Sequence, residues 1–227
     1  MKKKTAFIGA ILSLIPLGQP FFIRTSLVLS NSVIMLYYPE NLYARDADFY
    51  FKRAYKKAEK GDHYGAISEY TKAIELDPNN ANAYYNRGYS KDELKDYYGA
   101  IFDYTKAIEI NPQYSKAYNN RGYSKDALKD YYGAISDFSK AIELDPNNSN
   151  AYYNRGISKD ELKDYYGAIS DFSKAIELDS SNANVFKNRS ISKEKIGDIK
   201  GACIDAKKSV SLGDSAYDNK IWIKENC

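Results

Sequence analysis

Residues 83–88 read AYYNRG, a word that returns letter for letter at 151–156 and as AYNNRG at 117–122. Between its copies stands DYYGAI, at 96–101, 130–135 and 164–169. The interval is 34 residues, and Gly65, Gly99, Gly133, Gly167 and Gly201 keep it, as do Pro78, Pro112 and Pro146. Self-similarity at a fixed period of tens of residues marks a stacked-repeat architecture.

Residues 81–114, ANAYYNRGYSKDELKDYYGAIFDYTKAIEINPQY, show what one period contains. Apolar and small residues recur at helical spacing in two runs, one before Lys95-Asp96 and one after. Asn111-Pro112 ends the second run, because proline cannot continue a helix and restricts the residue before it. The unit is therefore helix, turn, helix, turn. Two amphipathic helices cannot bury their apolar faces alone, so each pair stacks on the next.

The period, the glycine of NRG, the alanine of YGAI, the aromatic of DYTKA and the closing proline resemble the tetratricopeptide repeat family. The match runs over five units, 47–80, 81–114, 115–148, 149–182 and 183–216. One column is small throughout: Ala54, Gly88, Gly122, Gly156 and Ser190. Its counterpart on the second helix is Ala66, Ala100, Ala134, Ala168 and Ala202, followed by Tyr70, Tyr104, Phe138, Phe172 and Ala206. The resemblance implies an all-α fold, a right-handed solenoid of five stacked helix-turn-helix units. Residues 217–227, with Ile221, Trp222 and Ile223, are predicted to form a C-terminal capping helix, since a solenoid must cover its last unit.

One column departs from the family. Where leucine usually precedes the small residue, this chain has Arg53, Arg87, Arg121, Arg155 and Arg189. The matching column on the second helix is Glu69, Asp103, Asp137, Asp171 and Asp205. These columns are predicted to form ion pairs within each unit. The alternative is solvated charge on two exposed faces.

The resemblance also implies that the first helices line a concave surface. Helical spacing then picks out Asn86, Asn120, Asn154 and Asn188, preceded by Phe51, Tyr85, Asn119, Tyr153 and Lys187. One turn further on lie Tyr55, Tyr89 and Tyr123, replaced by Ile157 and Ile191 in the last two units. Beyond these run Asp92, Asp126, Asp160 and Glu194, with Glu93 and Glu161 alongside. An asparagine amide offers both donor and acceptor, so a row of them suits the backbone of an extended peptide. Tyrosine adds flat contact area with little entropy to lose. The expected peptide-binding set is Asn86, Asn120, Asn154, Asn188, Phe51, Tyr55, Tyr85, Tyr89, Tyr123 and Tyr153. The alternative is that the asparagines merely bond their neighbours. The acidic row would favour a basic segment or an N-terminal amine.

The function expected is a non-catalytic protein-interaction scaffold. His63 is the one histidine in the chain, and it sits in the column of Tyr97, Tyr131 and Tyr165, where packing explains it. No phosphate loop or nucleophile elbow appears, and one histidine with Cys203 and Cys227 does not make a metal site. No cofactor, metal or catalytic residue is therefore expected. The partner is a protein or peptide. Nucleic acid is disfavoured, because residues beyond 44 carry 29 bases and 29 acids. Self-assembly of so regular a stack is the competing reading.

Residues 1–44 are read as a signal peptide or membrane anchor. Lys2, Lys3 and Lys4 precede an apolar run from Ala6 to Leu17, and a second apolar run follows from Ser26 to Tyr38. The expected location is exported, in a periplasm, thylakoid lumen or outside the cell. If the segment is uncleaved, it is the sole membrane contact, and the repeats face the non-cytoplasmic side. A disulfide between Cys203 and Cys227 is predicted. Antiparallel packing of the cap on the last repeat helix brings these two cysteines together, and an exported chain meets an oxidant. The alternative is two free thiols, Cys203 standing in for isoleucine in the core.

Overall fold

The computed structural model describes residues 26–29, 32–35, 40–214, 222–225 and 227. The chain divides into two units, Met1–Glu40 and Asn41–Cys227. In the first, β1 (Ser26–Leu29) and β2 (Ser32–Met35) pair antiparallel, with Ser26 opposite Met35 and Leu29 opposite Ser32. This hairpin lies outside the repeats and takes up the second apolar run. That run is short and carries Val28, Val33 and Ile34, β-branched residues that suit strands. The signal or anchor expected over 1–44 falls mostly outside the described residues. No helix among the described residues is long and apolar enough to cross a membrane.

The second unit is helical. Its first helix, α1 (Glu40–Glu59), starts seven residues ahead of the boundary expected at Ala47. No proline or glycine occurs from 40 to 60, so nothing in that stretch interrupts a helix. Then follow α2 (His63–Leu76), α3 (Ala81–Glu93), α4 (Tyr97–Ile110), α5 (Ser115–Ala127), α6 (Tyr131–Leu144), α7 (Ser149–Glu161), α8 (Tyr165–Leu178), α9 (Ala183–Lys195) and α10 (Ile199–Ser211). Residues 222–225 form a further helical turn, and the rest of the expected cap, Cys227 apart, lies outside the described residues.

The recurring letters have local causes. Asp62, Asp96, Asp130, Asp164 and Asp198 cap the second helices, each accepting from the amide of the glycine three residues on. A Cβ on Gly99 would lie 2.1 Å from Asp96 Oδ2, so the capping carboxylate takes the space a side chain would need. The turn before each cap needs a left-handed residue. Gly61 and Gly197 supply it at φ 79° and 83°, whereas Lys95, Lys129 and Lys163 are forced to 62–64°.

Within a unit the two helices run antiparallel and close on an aromatic ring. Tyr70, Tyr104, Phe138 and Phe172 are almost wholly buried. A Cβ on Gly122 would meet the Phe138 ring at 2.8 Å, and one on Gly156 the Phe172 ring at 2.6 Å. In the fifth unit the ring shrinks to Ala206, and Ser190 fills the gap, its hydroxyl donating to Ala202 O at 2.9 Å.

The arginine column does what its spacing suggests and more. Arg87 Nε and Nη2 donate to the two oxygens of Asp103 at 2.9 and 2.7 Å. Its Nη1 donates to Thr71 Oγ1 of the preceding unit at 3.0 Å. The guanidinium also lies over the Tyr84 ring, 5.5 Å from its centroid. Lys91 adds a second cation, 2.7 Å from Asp103. Arg121, Arg155 and Arg189 repeat this with Thr105, Ser139 and Ser173, and Lys125, Lys159 and Lys193 supply the second cation. Only the first pair is loose: the Arg53 side chain is 48% exposed, against 13% for Arg87. No repeat precedes it among the described residues.

Stacking sets the curvature. The first helices α3, α5, α7 and α9 touch their counterparts in adjacent units. The second helices α4, α6, α8 and α10 bring no Cα atoms within 8 Å of one another. Elements that approach closely on one side and splay on the other form an arc, so the first helices occupy the inner face.

Candidate functional site

The inner face carries a depression of about 360 Å³ between α3, α5 and α7. Tyr89, Asp92 and Glu93 line it from α3, Asn119, Asn120 and Tyr123 from α5, and Asn154 from α7. Lys95 and Tyr97 close its edge. Four residues of the expected peptide-binding set, Tyr89, Asn120, Tyr123 and Asn154, therefore meet in one place, together with Asn119, Asp92 and Glu93 of the neighbouring columns. Phe51 and Tyr55 line a second, more open depression on α1 with Lys52, Lys56 and Glu59. Phe51 also packs edge-on against Tyr70, centroids 5.5 Å apart.

The asparagine column is not a free ladder. Asn120 Nδ2 donates to the Tyr85 hydroxyl at 3.1 Å, and Asn188 Nδ2 to the Tyr153 hydroxyl at 3.0 Å. Asn86 turns back to Asn82 O on its own helix at 2.7 Å. Asn154 Nδ2 lies 3.5 Å from Asn119 Oδ1. The amides of Asn120, Asn154 and Asn188 thus reach from one unit to the next, while Asn86 stays within its own helix. A hydroxyl that accepts from asparagine still has its own proton to donate, so Tyr85 and Tyr153 keep that capacity. Burial pushes both hydroxyls up from the ordinary tyrosine range.

The acidic row is likewise part of the stack. Ser124 donates to Asp92 at 2.7 Å, and Ser158 and Ser192 donate to Asp126 and Asp160 across the next two junctions. Asp92 alone among these also accepts from a ring hydroxyl, Tyr104 at 2.8 Å. Burial pushes the Asp92 carboxyl up to about 6, with Ser124 and Tyr104 pulling it back and Glu93 and Asp96 adding to the rise. Burial raises Asp126 as well. Tyr89 is raised first by its hydrogen bond with Glu93.

Spacing on the first helices did not point to Tyr97, which begins a second helix. Its column offers the signal: Tyr97, Tyr131 and Tyr165 share it, and Tyr131 reaches Glu161 of the next unit at 3.4 Å. His63, in the same column, has a buried Nδ1 with no hydrogen-bond partner among the described residues. No three His, Cys, Asp or Glu side chains among the described residues are grouped to hold a metal ion. Cys203 and Cys227 are joined as a disulfide, Cα atoms 5.7 Å apart. Trp222 Nε1 donates to Glu194 at 3.0 Å, a second tie between the C-terminal segment and the last unit.

Among solved structures, MamA from Desulfovibrio magneticus RS-1 superposes at a TM-score of 0.70 and 20% identity, covering 76% of this chain and 97% of that one. YrrB, described as a TPR protein with an unusual peptide-binding site, gives 0.68 at 22% identity over 82% and 94%. The first TPR of Spaghetti (RPAP3), bound to the HSP90 peptide SRMEEVD, gives 0.52 at 30% identity over 53% and 95%. No curated protein matches the chain. The description "TPR repeat" matches residues 54–91, and "Tetratricopeptide repeat" matches 81–114, 115–148 and 149–182. These spans take in more than half of the 227 residues, the last three each hold one helix pair, α3/α4, α5/α6 and α7/α8, and the chain belongs to the tetratricopeptide repeat family.

Proposed function

We propose that the protein is a non-catalytic interaction scaffold whose inner face grips an extended peptide segment of a partner protein. The observation that carries this is the depression to which three successive first helices contribute Tyr89, Tyr123, Asn120 and Asn154. Tyr89 and Tyr123 are 43% and 51% exposed there, large aromatic surface left uncovered on a concave wall. The peptide-binding descriptions of YrrB and of the RPAP3 domain support the same use of the fold. The reading includes export through residues 1–44. The order of charge and apolar run supports it, and so does the Cys203–Cys227 disulfide, since such bonds persist in oxidising compartments.

The test is site-specific photocrosslinking in cells. A benzophenone side chain at Tyr123 is expected to capture a partner polypeptide. The same group at Tyr132, 77% exposed on a second helix, is expected to capture none. Equal yields from both positions, or none from Tyr123, would remove the inner face as the binding surface. N-terminal sequencing of the captured material reports on the leader.

A further inference from the structure

We propose that the depression between α3, α5 and α7 receives a primary ammonium group of the bound peptide, held by Asp92 and Glu93 between the rings of Tyr89 and Tyr123. The proposal rests on the peptide-binding reading of the inner face and names the chemistry that this face selects.

The argument starts from compensation. Asp103, Asp137, Asp171 and Asp205 are buried, and each faces an arginine and a lysine within 2.8 Å. Asp92 is half-buried, yet it makes no ion pair among the described residues. Its two oxygens accept only the neutral hydroxyls of Ser124 and Tyr104. A partly desolvated carboxylate without a counter-cation is a costly arrangement, and this one lines a cavity open to the inner face. Lys95 stands at the rim, exposed, and forms no ion pair with Asp92 or Glu93 among the described residues.

The second unit alone combines the necessary parts. The first has Ala58 in the column of Asp92, and the third has Ala127 in that of Glu93. The third and fourth have Phe138 and Phe172 where Tyr104 fixes the carboxylate. Further along the groove the tyrosine column becomes Ile157 and Ile191, which offer no π-face to a cation.

The geometry favours ammonium over guanidinium. Each Asp92 oxygen already has one donor, and the Glu93 carboxylate shares a hydrogen bond with Tyr89, so neither acid presents both oxygens free. A compact ammonium with three rotatable donors suits such a set, whereas a planar guanidinium wants a bidentate partner.

Three ten-residue probes of Gly, Ser, Ala and Tyr decide it, titrated into the full chain by fluorescence anisotropy. One is blocked at both ends with a single central lysine. The second has norleucine there. The third has norleucine and a free N-terminus. The lysine or free-amine probe is expected to bind at least about tenfold tighter than the blocked norleucine probe, as expected for a charge-assisted bond with cation–π contact. The first and third probes tell a side-chain amine from a terminal one. Asp92→Asn is expected to abolish the preference without weakening the norleucine probe, and exposed Glu93→Gln to reduce it. Asp126→Asn, one unit on and outside the depression, is expected to leave it intact. Equal binding of all three probes would overturn the ammonium site and leave the groove standing. A preference that survives both Asp92→Asn and Glu93→Gln would do the same. Binding of none would overturn both readings.

Discussion

Arg121 faces Asp137 through two parallel hydrogen bonds, Nε to Oδ2 at 2.9 Å and Nη2 to Oδ1 at 2.7 Å. The third contact, Nη1 to Thr105 Oγ1 at 3.1 Å, reaches the preceding unit. One side chain thus closes a helix pair and fastens it to its neighbour. Lys125 shares the same carboxylate at 2.8 Å. Removing the acid strands two cations, while removing the arginine leaves the acid with one. Asp137→Ala is therefore expected to cost about 3–5 kcal/mol and Arg121→Ala less. Arg53→Ala, at the half-exposed first pair, is expected to cost about 1 kcal/mol or under. Urea midpoints of the three variants check the order, and equal midpoints would contradict it.

The closeness of Gly122 to Phe138 predicts coupling between them. Gly122→Ser pushes its Cβ toward the Phe138 ring, within 2.8 Å, and is expected to cost about 1–3 kcal/mol. Phe138→Ala alone is expected to cost about 3–5 kcal/mol. Together they recreate the pairing of Ser190 with Ala206, which the fifth unit carries. The double variant should lose less than the sum, by more than about 0.5 kcal/mol. Strict additivity in a denaturant cycle would mean that the two positions do not sense each other.

The left-handed turn predicts a stabilising change. Lys129 sits at φ 64° where Gly61 and Gly197 serve the same turn in other units. Lys129→Gly relieves the strain but adds freedom to the unfolded chain, and the net expectation is a gain of about 0.5–1 kcal/mol. Gly61→Ala, at φ 79°, is expected to lose stability by a similar amount. A thermal melt of each reads the sign.

Much of this was legible because the chain states its own period. Columns one repeat apart showed the small residues, the rings and the arginine–acid pairs without reference to any structure. The second cation is not legible in this way. Lys57, Lys91, Lys125, Lys159 and Lys193 form a column as regular as the arginines, one turn along the same helix, but a surface lysine resembles any other until the acid opposite is known to be buried. Contacts between units were also hidden. Ser124 meets Asp92, and Asn120 meets Tyr85, only through the rotation from one unit to the next. That rotation is set by ring and side-chain packing rather than by spacing. For the same reason spacing alone does not place Tyr97 at the depression or say which neighbour each asparagine bonds.

Asp92 predicts a pH dependence. Its carboxyl is raised to about 6, first by burial, from an ordinary value of 3.8. Ser124 and Tyr104 bond it, Glu93 and Asp96 carry like charge beside it, and the hydroxyls of Tyr85, Tyr89 and Tyr123 also lie within its electrostatic reach. A raised carboxylate binds its proton more tightly in the folded state. Its contribution to stability is fully present below 3.8 and is lost as the pH rises through about 6. Stability of the wild type should therefore fall across that window relative to Asp92→Asn. Carbon-13 titration of the carboxyl gives the midpoint directly, and a value near 4 would remove the effect.

The last prediction concerns the end of the stack. Cys203, buried in α10, is bonded to the exposed Cys227 across a separation of 24 residues. Between them, Trp222 is tied to Glu194, so the disulfide and one hydrogen bond hold the C-terminal segment against the last unit. A loop of this length lowers the entropy of the unfolded chain by an amount equivalent to roughly 3.5 kcal/mol. Reduction should lower the urea midpoint accordingly. It should act mainly on the fifth unit, because repeat stacks lose stability locally at their ends. Hydrogen exchange in α9 and α10 is expected to accelerate on reduction, while α5 and α6 keep their protection. Thiol titration of denatured, unreduced protein from its native compartment is expected to find no free cysteine. Two free thiols there, or uniform loss of protection along the chain on reduction, would show that this bond does not pin the end of the stack.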